Sequence, residues 1–111
     1  MKFVQHDQPT LGFTLFTRTP DGRRVPLDLT GYTVEFRVVR KNAPDTYTHP
    51  SYEAAVVEDA SGGAILCPLP PGSLAEPGEY ALIIRLTDGS GRSFRLYTEP
   101  FEVVPEPATG G

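Results

Sequence analysis

Hydrophobic and polar residues alternate with a period of two in two segments, residues 32–39 and residues 79–88. Such alternation is typical of a β-strand with one buried face, and the β-branched and aromatic residues suit a pleated sheet. We therefore expect both segments to be strands. Their core-facing residues would be Tyr32, Val34, Phe36 and Val38 in the first, and Tyr80, Leu82, Ile84 and Leu86 in the second.

Weaker strand patterns occur in five further segments, separated by turns rich in glycine and proline. They are residues 11–18, 52–58, 64–69, 92–97 and 101–103. About seven short strands with frequent turns predict an all-β sandwich or barrel. The predicted core contains Phe13, Leu15, Val34, Phe36, Ile65, Leu82, Ile84, Leu86 and Phe101.

Composition narrows the class of protein. The 111 residues include 12 prolines and 11 glycines, which favours turns over long helices, and 39% are hydrophobic, too many for a disordered chain. This length fits one domain. The net charge of -4 argues against a nucleic-acid partner. No run of 18 apolar residues is present, so no membrane partner is expected.

Candidate chemical groups are few. His6 and His49 lie 43 residues apart, which matches no metal-ligand spacing. Cys67 alternates with Ile65 and Leu69, which places the thiol in the core rather than in a reactive, open setting. The carboxylates lie in turns with nothing to raise their pKa values. We therefore expect no catalytic residue, metal, cofactor or small-molecule substrate, and no enzymatic activity.

The charges divide unevenly along the chain. Residues 1–50 carry seven basic and five acidic side chains, net +2, whereas residues 51–111 carry three basic and nine acidic side chains, net -6. Arg23 and Arg24 belong to the basic half. The division is explained either by chance clustering of solvated charges or by complementary faces in a ring-forming contact between copies.

Three stretches share a known pattern: residues 21–38 with Leu29-Thr30-Gly31, residues 63–69, and residues 77–84 with Gly78-Glu79-Tyr80. Together they resemble the immunoglobulin-like domain at the N-terminus of phage baseplate upper proteins. The resemblance implies an immunoglobulin-like β-sandwich of about seven short, mostly antiparallel strands over residues 10–104. Residues 1–9 would be an N-terminal extension, and residues 105–111 a flexible C-terminal tail.

The family pattern gives structural roles to four residues. Asp28 is expected to cap a turn through backbone N–H groups two residues on. Gly31 and Gly78 are expected where the backbone torsions exclude a Cβ atom or where a turn is tight. Tyr80 is expected to form a tyrosine corner, with its ring in the core and its hydroxyl bonded to a loop. None of these roles is catalytic.

The resemblance implies a virion structural protein of a tailed phage, in the tail, baseplate or neck, that binds copies of itself and other virion proteins. Candidate interface residues are Arg23, Arg24, Phe16, Val39 and Tyr97, the last three because they face away from the predicted core. One alternative is a capsid decoration protein with the same fold. Another is a carbohydrate- or host-surface-binding module, for which Tyr47 and Tyr52 would be the aromatic residues.

Overall fold

The structure, a computed structural model, describes residues 2–40, 43–47 and 52–105. Over these residues the chain forms twelve strands and no helix, so nothing in this part could cross a membrane as a helix. The prediction of an all-β fold is confirmed. The strands are β1 (Lys2–Val4), β2 (Thr10–Thr14), β3 (Phe16–Arg18), β4 (Arg24–Pro26), β5 (Thr33–Arg40), β6 (Ala43–Tyr47), β7 (Glu53–Ala54), β8 (Val56–Asp59), β9 (Ala64–Pro68), β10 (Gly78–Thr87), β11 (Ser93–Tyr97) and β12 (Phe101–Val104).

The ten-residue strand β10 is the centre of the larger sheet. β5 runs antiparallel along one of its edges. On the other edge β11 pairs with the C-terminal half of β10 and β12 with its N-terminal end, because the chain breaks at Pro100 between them. β1 adds to β12 in parallel, and β6 and β7 pair with the far edge of β5.

A smaller sheet, in the order β2-β9-β8, packs against the larger one, and β3 and β4 form a separate hairpin. One apolar core lies between the two sheets, which makes the fold a β-sandwich. Eight of the nine predicted core residues are buried, and Phe13 is half-buried against them. The buried core is Leu11, Leu15, Leu29, Val34, Phe36, Val38, Ile65, Cys67, Leu69, Leu74, Tyr80, Leu82, Ile84, Leu86, Phe101 and Val103.

The N-terminal residues differ from the prediction. Residues 1–9 were expected to be an extension outside the sandwich, whereas β1 within them is a strand of the larger sheet. Phe3 packs edge-on against Phe101, with ring centroids 5.5 Å apart. A three-residue strand is too short to show a period of two, so the sequence pattern does not reveal it. Of the predicted tail, residues 106–111 lie outside the described residues.

The segment predicted as one strand over residues 52–58 is divided in two. β7 pairs with β5 in the larger sheet, and β8 pairs with β9 in the smaller one. Between them the N–H of Ala55 donates to the carbonyl of Val34 at 3.0 Å. The chain therefore passes from one sheet to the other within this segment, which is one reason why the strands outnumber the seven expected.

Val39 was predicted to be an exposed interface residue, and this prediction is wrong. Its side chain does face away from the main core, as the alternation requires. However, it forms a second apolar cluster with Ala81 and Ile83 on the outer face of the larger sheet. Tyr52 packs against that cluster, so Val39 is only 4% exposed. This cover comes from a distant part of the chain and leaves no local signal in the sequence.

Candidate functional site

Two strand edges on one side of the sandwich have no neighbouring strand among the described residues. β11 pairs only with β10, and β2 pairs only with β9. The N–H of Thr98 donates to Leu82 and the N–H of Leu15 to Gly63, which fixes the alternation of both ladders. The backbone groups that point outward therefore belong to Ser93, Arg95 and Tyr97 on β11, and to Thr10, Gly12 and Thr14 on β2.

An apolar groove of about 560 Å³ lies between these two edges. Its floor reaches the core at Leu11 and Ile84, and Phe16, Leu96 and Tyr97 line its walls. The groove exists because the smaller sheet does not extend over β11. We call it the edge groove.

The large apolar side chains of β11, in and beside the edge groove, are unusually exposed for their type. Phe94 and Leu96 lie opposite Leu86 and Ile84 in the ladder, so they share the core face of the sheet. Phe94 is nevertheless 48% exposed, and Tyr97 is 70% exposed. The sequence analysis identified Tyr97 but not Phe94 or Leu96, because alternation shows which face a residue occupies and not whether anything covers that face.

Charged residues border the edge groove. The guanidinium of Arg24 stacks 3.9 Å above the ring of Phe16. Glu99 also lines the groove, whereas Arg95, directly opposite Arg85 in the ladder, lies on the outer face of the larger sheet at the same β11 edge. Phe16, Arg24 and Tyr97, predicted from sequence as separate interface residues, thus come together here.

Arg23 does not line the edge groove. It is exposed in the turn between β3 and β4, where its Nε lies 3.3 Å from a carboxylate oxygen of Asp21. Arg18 in the same hairpin donates to the carbonyl of Gly22 at 3.0 Å. The hairpin therefore holds its own charges in local contacts, and only Arg24 is directed to the groove.

The opposite edge of the smaller sheet is also apolar. β8 pairs with β9 and with no other strand in the part of the chain that the structure describes, and its Val56 and Val57 are exposed. Glu53, Glu58 and Asp59 accompany them, with no basic residue between residues 52 and 63. The sequence analysis assigned a strand to this segment but did not recognise it as an exposed edge.

Asp28 and Gly31 form one of the predicted turns. One carboxylate oxygen of Asp28 accepts hydrogen bonds from the hydroxyl of Thr30 at 2.6 Å and from its N–H at 3.0 Å, and these bonds lower the pKa of Asp28. Gly31 has a φ of +83°, a left-handed conformation that side-chain-bearing residues rarely adopt. The turn directs the chain into β5.

Gly78 and Tyr80 lie together at the start of β10. A Cβ atom on Gly78 would lie 3.3 Å from a terminal nitrogen of Arg40, and this guanidinium also donates to the carbonyl of Pro77 at 3.2 Å. Tyr80 is buried, and its hydroxyl donates to the carbonyl of Glu76. These contacts join the loop before β10 to β5 and to the core.

An ordered charged cluster lies on the outer face of the larger sheet. Arg85 donates to Glu35 at 2.7 Å, directly across the ladder, and its guanidinium covers the ring of Tyr52 at 3.9 Å. Arg37 also approaches that ring. A sugar would stack on an open aromatic face. At Tyr52 the guanidinium of Arg85 already lies over the ring. The structure does not describe the side chain of Tyr47.

Groups capable of chemistry are dispersed. Cys67 is fully buried, and burial raises the pKa of its thiol to about 12, which keeps it in the neutral, unreactive form. The N–H of His6 donates to the carbonyl of Leu74, and the residue takes a φ of +72° in a tight turn. Among the described residues, no three His, Cys, Asp or Glu side chains cluster as metal ligands would.

Comparisons with known proteins bear on the fold alone. No protein-family model and no curated protein sequence matches the chain. Among solved structures, the crystal structure of CopC from Methylosinus trichosporium OB3b is similar, with 12% sequence identity and a TM-score of 0.50. The match covers 96% of this chain and 86% of that one. The likeness agrees with an all-β sandwich.

Proposed function

We propose that this chain is a non-enzymatic structural protein of a tailed-phage virion, in the tail, baseplate or neck, and that it acts by protein–protein assembly. The observation that carries the proposal is the edge groove. Exposed strand edges with large apolar side chains are normally covered or avoided in proteins that remain single. A contiguous apolar surface at such an edge marks an interaction site.

The immunoglobulin-like class belongs to the same proposal. The strand arrangement supports it, because β2, β9 and β8 form one sheet while β12, β10, β5 and β6 lie in the other, with β1 parallel to β12. The contact from Tyr80 to Glu76 supports it further, because it has the geometry of a tyrosine corner at the start of a central strand. The sequence resemblance to baseplate upper proteins adds the phage assignment.

The chemistry of the interior supports a structural role. The single thiol is held neutral in the core, and Arg85 and Glu35 bind each other rather than pointing into a cavity. What the surface offers is apolar area next to arginine, the combination that is enriched in protein–protein contacts.

The test is incorporation into particles of the phage that encodes the chain. Virions would be purified on a density gradient and the chain quantified in them by mass spectrometry. We expect several copies per particle for the wild type and strong depletion for a variant with Arg24→Glu and Tyr97→Ser. Lys2→Glu, an exposed charge reversal outside the edge groove, is the matched control.

Two results would contradict the proposal. One is a wild-type chain that stays in the unassembled fraction. The other is full incorporation of the groove variant, which would separate assembly from this surface. Gold labelling of the particle then locates the chain on the tail, baseplate or neck, or on the head surface as a decoration protein would be. An Arg23→Glu variant tests separately whether the contact reaches the tip of the β3–β4 hairpin.

A further inference from the structure

We infer that the partner at the edge groove is a second copy of this chain, and that the β8 edge of one copy docks along the β11 edge of the next. The inference rests on the proposed function and names the partner for its surface. It makes assembly a head-to-tail contact between two different edges.

The first argument is that these two surfaces account for all the large apolar side chains that the described residues expose. Phe16, Leu96 and Tyr97 line the edge groove, Phe94 lies on β11 beside it, and Val56 and Val57 lie on β8. The remaining large apolar residues whose burial the structure describes are buried or partly buried. A contact between the β11 edge and β8 therefore brings together the two surfaces that carry this exposed set.

The second argument is the position of the two surfaces on the sandwich. β8 and β2 are the opposite outer strands of the smaller sheet, so β8 lies on the side away from the edge groove. A copy cannot bring its own β8 to its own β11. Two different edges on opposite sides make a heterologous contact, which closes into a ring or continues as a filament.

The third argument is charge. Residues 92–97 contain Arg92 and Arg95 and no carboxylate, whereas residues 53–59 contain three carboxylates and no base. Arg85 already has Glu35 as its partner at 2.7 Å, but Arg95 opposite it has no ion-pair partner among the residues that the structure describes. A carboxylate from β8 of a neighbour would neutralise Arg95.

The same charges determine which edges do not pair. Two β11 edges would bring Arg95 against Arg95, and two β8 edges would bring carboxylates together, and like charges facing each other across strands are destabilising. Charged residues on edge strands commonly prevent self-pairing. Here they disfavour both symmetric pairings and favour the complementary one.

The contact is small, because β8 has four residues with an irregularity in register between Val57 and Asp59. Small interfaces are weak, so association should depend on concentration in the micromolar range or above, on the order of what transient contacts show. It should also weaken with added salt, since the charged pairs lie at the surface.

The test measures the mass of the assembled protein by sedimentation at rising concentration. It compares the wild type with variants in which the charges of the two edges are reversed singly and together. We expect Arg95→Glu and Glu58→Lys each to weaken association about tenfold or more, and the double variant to recover it, because each contact then again joins opposite charges. Lys2 and Glu102, an exposed ion pair at 3.8 Å outside both edges, provide the matched series. Lys2→Glu, Glu102→Lys and their double variant should associate as the wild type does.

A crosslinking experiment reads the geometry directly. Leu96→Cys and Val56→Cys are prepared as separate proteins and oxidised alone and as a mixture. We expect a disulfide-linked dimer from the mixture and little from either protein alone. Native Cys67 does not compete, because it is fully buried. Crosslinking of either protein with itself as efficiently as the mixture would overturn the head-to-tail contact.

Further outcomes separate the inference from the proposed function. A wild type that is monomeric at all concentrations yet enters virions overturns self-pairing and leaves the assembly role intact. A chain that associates as described but never enters virions overturns the phage role and leaves self-pairing intact. A double charge swap that folds, shown by circular dichroism, but does not re-associate also overturns the pairing of β8 with β11.

Discussion

The hydroxyl of Tyr80 donates a hydrogen bond of 2.5 Å to the carbonyl of Glu76, four residues earlier in the chain. The Tyr80 ring is buried and stacks on Phe101 with centroids 6.0 Å apart. Burial raises the pKa of Tyr80 above its ordinary value, so the hydroxyl stays protonated and remains a donor through the neutral range. One side chain thus fixes the loop before β10 to the core.

Removing that hydroxyl should destabilise the fold measurably. Tyr80→Phe keeps the ring but leaves the Glu76 carbonyl without its partner, which should cost about 1–2 kcal/mol of unfolding free energy. Urea unfolding followed by fluorescence or circular dichroism measures it. Tyr97→Phe is the control, because Tyr97 is largely exposed, and it should change stability by less than about 0.5 kcal/mol. Equal effects of the two variants would contradict the role of the corner.

Gly63 should be the glycine least tolerant of substitution. It has a φ of +70°, and a Cβ atom there would lie 2.5 Å from the carbonyl oxygen of Leu15 and 2.9 Å from that of Leu27. Both obstacles are backbone atoms that cannot rotate away, so Gly63→Ala should cost more than about 2 kcal/mol. Gly31→Ala has the strained conformation without the clash and should cost about 1 kcal/mol.

Gly89→Ala is the control for these two glycine substitutions. A Cβ atom at Gly89 meets nothing within 4 Å, and the residue does not have a positive φ. Its thermal midpoint should stay near that of the wild type. The thermal midpoint should be highest for Gly89→Ala, lower for Gly31→Ala and lowest for Gly63→Ala. Any other order would contradict the explanation by backbone conformation and contact.

The buried thiol predicts a loss of stability at high pH. The pKa of Cys67 is about 12 in the folded chain against an ordinary 9.0, so above pH 9 the unfolded chain loses this proton and the folded chain keeps it. Unfolding therefore becomes more favourable as pH rises from 9 to 12, by up to about 1.4 kcal/mol per pH unit. Below pH 9 the contribution is fully present.

Cys67→Ala isolates this effect, because alanine has no proton to lose while the tyrosines are unchanged. Its stability should lie below that of the wild type at pH 8, and the difference should shrink as pH rises toward 11. Urea midpoints of both proteins across that range measure the trend. A difference that is independent of pH would show that the thiol titrates equally in both states.

The pair of Glu35 and Arg85 should contribute to the sheet through charge. Both side chains are about a third exposed or less, and Arg95 lies opposite Arg85 on its other side. Glu35→Gln leaves two arginines facing each other and should cost about 1 kcal/mol at low salt, less in high salt. Glu53→Gln is a control on the neighbouring strand β7. Equal losses in both variants, or no dependence on salt, would contradict the pairing.

The sequence predicts the centre of the fold better than its edges. Alternation in β5 and β10 identifies strands whose core faces are buried, because both have neighbours on each side. It also places Val39 and Phe94 on the correct faces of the sheet. It does not show that Tyr52 covers the first, or that the second packs beside Tyr32 and stays 48% exposed, since both depend on elements distant in the chain.

The candidate site, too, could be predicted from the sequence only in part. Phe16 and Tyr97 can be selected from sequence as residues that face away from the core, and Arg24 as part of the basic half of the chain. Their meeting in one groove depends on the position of the β3–β4 hairpin beside β11, which no local pattern encodes. Val56 and Val57 were assigned to a strand, but the edge they form depends on the passage of the chain between two sheets.

The parallel pairing of β1 with β12 has a consequence for synthesis. Lys2–Val4 leave the ribosome roughly a hundred residues before Phe101–Val104, which at usual elongation rates is on the order of five to twenty seconds. Throughout that interval β1 has no partner in its own chain. When β12 forms, it can accept β1 from its own chain or from a nearby nascent copy. We therefore expect strand exchange between nascent copies on polysomes to be one route by which this topology misassembles.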